Sequence, residues 1–151
     1  MASGDFVSIT DPFDLQRFVA AQQDVIGDVR AELARGRKTS HWMWFIFPQL
    51  RGLGHSSMAH RYGISSRAEA EAYLAHPTLG PRLIECTRLV NQAKDRTAEQ
   101  IFGGVDALKF RSSMTLFDRL SSGEAGSPDE FAQALATFFN GQPDPLTIER
   151  L

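Results

Sequence analysis

The chain is organised around one aromatic segment, Lys38-Thr39-Ser40-His41-Trp42-Met43-Trp44-Phe45-Ile46-Phe47-Pro48-Gln49-Leu50. It contains both tryptophans and one of the four histidines, and a proline closes its apolar run of six residues, 42–47. Such a run predicts a buried element, and the polar residues before and after it suggest a site beside the core. Ser40 is an acceptable N-cap, and Pro48 disfavours helical geometry at Phe47. We therefore predict a short helix here, with a short buried strand as the alternative.

Helix start and stop signals follow one another on both sides of this segment. Ser or Thr followed three residues later by Glu or Gln is the pattern of a capping box, and it begins at Ser66, Thr97 and Ser127. Between such signals apolar residues recur every three or four positions. The sequence thus predicts an all-α (mainly α) fold, a single compact domain of about seven to nine short helices. We assign residues 11–151 to this domain and residues 1–10 to a flexible N-terminal lead-in.

Two further helix starts are expected from single side chains. Thr78 precedes one periodic apolar series and Asp106 precedes a longer one, and both side chains can accept a hydrogen bond from a free backbone N–H. The bulky members of the longer helix are Leu108, Phe110, Met114, Phe117 and Leu120.

Composition narrows the class of protein. The chain has 151 residues, 16 Lys and Arg against 18 Asp and Glu, and a net charge of −2, which argues against nucleic acid as a partner. A single cysteine excludes an intrachain disulfide and a multi-cysteine metal site. The N-terminus has no basic segment leading into an apolar stretch, and no apolar run approaches the roughly 18 residues that span a bilayer. We therefore expect a cytoplasmic protein without membrane contact.

Three blocks of sequence carry a family resemblance. They are Lys38-x-Ser40-His41-Trp42-Met43-Trp44-Phe45-x-Phe47-Pro48-Gln49-Leu50, Asp106-Ala107-Leu108-Lys109-x-Arg111-Ser112-Ser113-Met114-Thr115-Leu116-Phe117 and Leu15-x-Arg17-Phe18-x-x-Ala21-Gln22. With these blocks the chain, from about Asp11 to Leu151, resembles the family of bacterial domains of unknown function 1810. The resemblance implies a small, mainly helical fold and brings no established activity with it.

Polar residues that interrupt apolar segments are the candidates for a site. His41 is the leading candidate acid or base, because imidazole titrates near neutrality. Lys38, Lys109 and Arg111 are candidates for binding an anionic group. A tryptophan could stack on a flat ligand, and in a helix only one of the two would line a pocket. The remaining candidate ligand-binding residues are Ser40, Trp42, Trp44, Gln49 and Ser112.

These candidates lie in two separate blocks, and we predict a pocket where the blocks meet. The pocket would lie between the Trp segment, which we define as residues 38–51, and the 106–117 helix, and it would bind a small anionic or nucleotide-like metabolite. His41 would transfer protons if the protein catalyses a reaction. No metal site or cofactor is predicted, because no two histidines stand at the helical i, i+4 spacing and no carboxylate is close to His41 in sequence. The alternative is a protein-interaction or self-association module that uses the aromatic residues of the segment.

Overall fold

The computed structural model describes residues 11–121 and 128–151, and within these ranges it contains ten helices. They are α1 (Gln16–Gln23), α2 (Ile26–Ala34), α3 (Met43–Ile46), α4 (Ser57–Arg61), α5 (Arg67–Ala75), α6 (Leu79–Gln92), α7 (Ala98–Phe102), α8 (Gly104–Ser121), α9 (Glu130–Phe139) and α10 (Pro145–Arg150). The all-α prediction is confirmed, with slightly more helices than expected. The predicted lead-in, residues 1–10, lies outside the described residues.

Two long helices form the centre of the molecule. The 18-residue helix α8 packs against α5, α7, α9 and α10, and the 14-residue helix α6 packs against α2, α5 and α9. Phe110, Met114 and Phe117 of α8 are fully buried and share one face, because they are spaced three or four residues apart. The Phe110 ring lies 5.0 Å from the ring of Phe47, so the Trp segment packs directly onto α8.

The Trp segment forms a helix, and its aromatic residues are mostly interior. Trp42 is the N-cap residue of the four-residue helix α3, and its side chain is 1% exposed. Phe45 and Phe47 are buried as well, whereas Trp44 stays partly exposed. The expectation of a short helix is confirmed, but Ser40 does not cap it, because the helix begins only at Met43. The Ser40 hydroxyl donates to Glu32.

Two of the three predicted capping boxes fall in the described residues, and the side chain at the start of each caps its helix. The Thr97 box is complete, and the Ser66 hydroxyl accepts the N–H of Glu69 at 3.1 Å, whereas Ser127 lies outside the described residues. Thr78 occupies the N-cap position of α6, but its side chain makes no capping hydrogen bond, because Pro81 has no N–H and the Gly80 N–H donates to the His76 carbonyl. Nδ1 of His76 accepts from the N–H groups of Thr78 and Leu79, at 3.0 and 3.2 Å.

Asp106 does not cap the long helix either, because α8 begins two residues earlier, at Gly104. The Asp106 carboxylate lies in the first turn of the helix, where the helix dipole favours an anion.

The end of the Trp segment is held beside a later loop by two backbone hydrogen bonds. Arg51 N–H donates to Ile64 at 2.8 Å, and Ile64 N–H donates to Gln49 at 2.9 Å. This isolated bridge closes residues 51–63, including α4, into a loop that packs beside α8. Among the described helices none is both long and apolar enough to cross a membrane.

Candidate functional site

Glu32 fixes the start of the Trp segment. The side chain is buried, with 4% exposed, and its carboxylate accepts from Thr39 N–H at 2.7 Å, Ser40 N–H at 2.9 Å, Trp42 Nε1 at 3.0 Å and the Ser40 hydroxyl. Burial alone would raise the pKa of Glu32, but the hydrogen bonds from Ser40, Thr39 and Trp42 outweigh it and lower the pKa to about 2. Ser40 and Trp42, two of the candidate ligand-binding residues, are therefore engaged inside the protein.

Lys38 is also bound to other groups of the protein. Its ammonium group lies 2.9 Å from Asp106 Oδ2 and donates to the Ser40 carbonyl at 2.6 Å. The ammonium also lies 5.0 Å from the centroid of the Trp42 ring, and 7% of the side chain is exposed. Lys38 thus joins the Trp segment to the first turn of α8, and little of it faces solvent.

His41 has an exposed side chain in the turn before α3. It does not line the cavity described next. The structure therefore does not bring His41 together with the cationic candidates of α8 at one cavity, and its acid–base role stays a prediction.

A cavity of about 440 Å³ lies where the two sequence blocks meet, between the end of the Trp segment and α8, with α10 on its far side. This volume is in the range of small-molecule sites. Its apolar wall is formed by Leu53, Ala59, Val105, Leu108 and Leu146.

Leu108 differs from the other bulky residues of the long helix. Whereas Phe110, Met114, Phe117 and Leu120 are buried, Leu108 is 65% exposed at the cavity. The reason is helical geometry: Leu108 precedes Phe110 by two residues, which places the two side chains about 200° apart around the axis.

Four of the candidate residues line this cavity together: Gln49, Lys109, Arg111 and Ser112. The ammonium group of Lys109 lies 3.5 Å from Asp106 Oδ1 and 5.2 Å from the centroid of the Trp44 ring. Asp106 is therefore shared by Lys38 on one side and Lys109 on the other. This arrangement holds the Lys109 charge at the cavity end nearest the Trp segment.

Arg111 and Ser112 lie at the opposite end of the cavity and bind residues 142–144. Arg111 donates from Nε to the Gln142 carbonyl at 3.0 Å and from Nη2 to the Pro143 carbonyl at 2.9 Å. Ser112 donates to Asp144 Oδ2 at 3.0 Å, and the same oxygen accepts from the backbone and hydroxyl of Thr147. These contacts attach α10 to α8 and set the position of Leu146 in the cavity wall.

A narrow extension of about 10 Å³ adjoins the cavity and shares Gln49, Ala59 and Lys109 with it. Trp44 lines this extension, and its Nε1 is buried without a hydrogen-bond partner among the described residues. Of the two tryptophans, Trp44 is thus the one beside the cavity.

Reasoning from sequence missed several lining residues, among them His55, Ser56, Asp144 and Leu146. The Gly52-Leu53-Gly54 turn before α4 was a signal for the first two, since glycine turns bring side chains of a loop close to neighbouring helices. Asp144 and Leu146 carried no signal, because residues far apart in sequence meet at α8 only through tertiary packing.

Groups that could support metal or thiol chemistry are not assembled in the described part of the chain. No cluster of three or more His, Cys, Asp or Glu side chains with metal-binding geometry occurs in residues 11–121 and 128–151. Cys86 is buried on α6, and burial raises the pKa of its thiol to about 12, so the thiolate is scarce at neutral pH.

Comparisons with known proteins give a family and a fold. A family model described as "Protein of unknown function (DUF1810)" matches residues 12–151. The chain is similar to the crystal structure of the conserved hypothetical protein Rv1873 from Mycobacterium tuberculosis, with 55% sequence identity and a TM-score of 0.89. That match covers 93% of this chain and 98% of the other. No curated protein matches the chain. The family match confirms the resemblance seen in the sequence blocks.

Proposed function

The chain belongs to the DUF1810 family of proteins of unknown function, and we propose that it binds a small anionic, nucleotide-like metabolite in the cavity between the Trp segment and α8. One observation carries this proposal: a single cavity of about 440 Å³ has an apolar wall and two cationic side chains. Such a combination favours a ligand with a flat apolar part and an anionic group.

The side chains of the apolar wall are exposed to solvent, and a bound ligand would cover them. Val105, Leu108 and Leu146 are 71%, 65% and 54% exposed, and they are the three most exposed large hydrophobic residues of the described chain. All three line the cavity. Covering apolar surface stabilises a complex by roughly 25 cal/mol per Å², so an aromatic or aliphatic group placed there would gain binding energy.

The charges at the cavity favour an anion. Lys109 and Arg111 line it with positive charge, and Asp144 is the one carboxylate among the described lining residues. Asp144 already accepts hydrogen bonds from Ser112 and Thr147. Asp106 also pairs with Lys109, but it shares that charge with Lys38. Three cationic groups therefore face two carboxylates, and the local balance is positive in a protein whose net charge is −2. Because the exposed His41 lies outside the lining, we assign it no role in binding.

The test is a thermal-shift screen with AMP, NAD, ADP-ribose, sugar phosphates and naphthyl phosphate. A ligand at a hundredfold its Kd should add about 2.7 kcal/mol to the free energy of unfolding, which is a shift of a few degrees in Tm for a domain of this size. Two variants test the charged and the apolar contacts of the cavity separately: Lys109→Gln removes a charge, and Leu146→Ser removes part of the apolar wall. Both are expected to reduce the ligand shift.

Matched controls are available for both variants. Ile148→Ser changes a partly exposed residue of the same helix, α10, that does not line the cavity, and Lys94→Gln removes an exposed charge elsewhere. These controls should leave the ligand shift unchanged. The cavity is not the binding site if no compound shifts Tm, or if Leu146→Ser and Ile148→Ser respond alike.

A second candidate function is self-association through the exposed apolar residues around the cavity. The aromatic residues of the Trp segment offer little surface for this, since Trp42, Phe45 and Phe47 are buried. Sedimentation velocity over a range of concentrations separates the candidates. A dimer that Leu108→Asp dissociates would favour self-association, and a monomer at all concentrations would favour the ligand site.

A further inference from the structure

A second, more open depression of about 890 Å³ adjoins the cavity, and we name it the basin. Its side chains come from Arg51 and from the loop and helix that follow, namely His55, Ser56, Ser57, His60 and Ser65. The basin and the cavity share Gly54, His55 and Ser56 in their linings, so the two spaces are neighbours at this loop.

The charge of the basin differs from that of the protein as a whole. Arg51, His55 and His60 contribute basic groups, and among the residues that the structure describes no carboxylate lines it. A fourth basic group is close, since Nη1 of Arg150 lies 3.0 Å from the position that a Cβ at Gly52 would take. This local composition contrasts with the whole chain, in which acidic residues are in excess, 18 against 16.

Arg51 is held in place as a donor. Its Nε donates to the His60 carbonyl and its Nη2 to the Gly63 carbonyl, both at 3.2 Å. These two contacts fix the guanidinium plane, and Nη1 carries further N–H groups. A donor fixed in this way loses less side-chain entropy when it binds an anion than a free surface arginine does.

The floor of the basin is glycine backbone, and side chains there would not fit. Gly52 has a φ of 98°, which disfavours any residue with a Cβ. A Cβ at Gly54 would lie 2.7 Å from the Cβ of Ala59 and 3.2 Å from Gln49 Nε2. The loop therefore lies close against α4 and the Trp segment, and it leaves space above it for a ligand group.

We propose that the basin is an anion subsite that holds the phosphate or diphosphate group of the ligand whose apolar part occupies the cavity. This inference rests on the proposed function and narrows it to phosphorylated compounds. A phosphate has several acceptor oxygens, and the guanidinium, imidazole and hydroxyl groups of the basin are the donors that bind them in proteins. Ser65 is not one of these donors, because its hydroxyl already donates to Glu69 at 2.7 Å.

Histidine resonances report on the subsite directly. Inorganic pyrophosphate is titrated into the full chain at constant ionic strength, and the four imidazole groups are followed by NMR. We expect saturable shifts for His55 and His60, which line the basin, and none for His76, which caps α6. The variant His60→Gln should weaken pyrophosphate binding by at least about threefold, and Lys94→Gln should leave it unchanged.

Naphthyl phosphate and naphthol then separate the subsite from the cavity. If the inference is right, naphthyl phosphate binds about tenfold more tightly than naphthol, and His60→Gln reduces this ratio while Leu146→Ser weakens both compounds. Equal affinities for the two compounds with no saturable shift at His55 and His60 would overturn the subsite and leave the cavity proposal standing. Saturable pyrophosphate binding without any binding of naphthol or naphthyl phosphate would support an anion site in the basin. It would overturn the proposal that the cavity binds the apolar part of the same ligand.

Discussion

Glu32 is the residue on which the geometry of the Trp segment depends most. Its buried carboxylate accepts two backbone N–H groups, an indole N–H and a hydroxyl. Loss of the Glu32 charge would lower the stability of the protein considerably, because each of the four donors would then have a weaker acceptor.

Stability should therefore depend on pH through Glu32. Its pKa is about 2 in the folded protein against 4.5 as the ordinary value. A lowered pKa contributes stability that is fully present above the unfolded value and is lost as the pH falls from about 5 towards 2. The difference corresponds to about 3 kcal/mol at neutral pH.

We expect Glu32→Gln to lower the free energy of unfolding by about 3 kcal/mol at neutral pH and by much less near pH 2. Urea denaturation at a series of pH values measures this. Glu71→Gln, at an exposed position, is the control and should change stability by less than about 0.5 kcal/mol. A loss for Glu32→Gln that is the same at all pH values would contradict the assignment.

The two tryptophans offer a matched pair of substitutions. Trp42 donates its N–H to Glu32 at 3.0 Å, whereas the N–H of Trp44 is buried without a partner in the described structure. Trp42→Phe removes a donor from a carboxylate, and we expect it to cost about 1–3 kcal/mol. Trp44→Phe removes an unpaired N–H, and we expect it to be close to neutral or slightly stabilising. Chemical denaturation measures the free energy of unfolding of both variants. An equal loss of stability in the two variants would contradict the assignment of an unpaired N–H to Trp44.

At the level of elements, the side chain of His76, just before α6, binds backbone N–H groups at the start of that helix. Nδ1 of His76 accepts two backbone N–H groups, and the Thr78 side chain accepts none from the helix. Replacing an N-cap acceptor by alanine typically costs about 1 kcal/mol. We therefore expect His76→Ala to lower stability by about 1 kcal/mol and Thr78→Ala by less than about 0.5 kcal/mol. Thermal unfolding of the two variants is the measurement, and a larger loss for Thr78→Ala would place the cap at the threonine.

Helices could be predicted from sequence where local signals and apolar periodicity agreed. The Thr97 box and the cap at Ser66, which accepts the N–H of Glu69, depend only on residues three apart. Thr78 makes no capping bond because Pro81 has no N–H and the Gly80 N–H already donates to the His76 carbonyl. Asp106 and Ser40 failed as caps because the helix boundaries differ from those expected: α8 begins at Gly104 and α3 only at Met43.

At the scale of the whole molecule, one hydrophobic core runs through the described chain. Its buried members extend from Leu15 in the turn before α1 to Leu135 in α9 without a break into separate clusters. Arg17 and Glu69, 2.8 Å apart and largely buried, connect the start of the chain to α5. A single core of this kind should unfold cooperatively.

We expect one unfolding transition that two probes report identically. Tryptophan fluorescence follows the Trp segment, and far-UV circular dichroism follows all the helices. The midpoints should agree within about 2 °C. A fluorescence transition that precedes the loss of helix would mean that the Trp segment unfolds separately from the rest of the core.

The sequence alone determined the all-α class, the family resemblance, the helix starts at Ser66 and Thr97, and the two blocks that border the cavity. It could do so because capping and apolar periodicity act over three to seven residues. Tertiary structure decided which polar residues face the cavity. Lys38, Ser40 and Trp42 are engaged by Glu32 and Asp106, while Lys109, Arg111 and Ser112 line the cavity with Leu146. The partners of a charged or hydroxyl side chain are set by residues far away in sequence, and only the folded chain brings them within a hydrogen bond of one another.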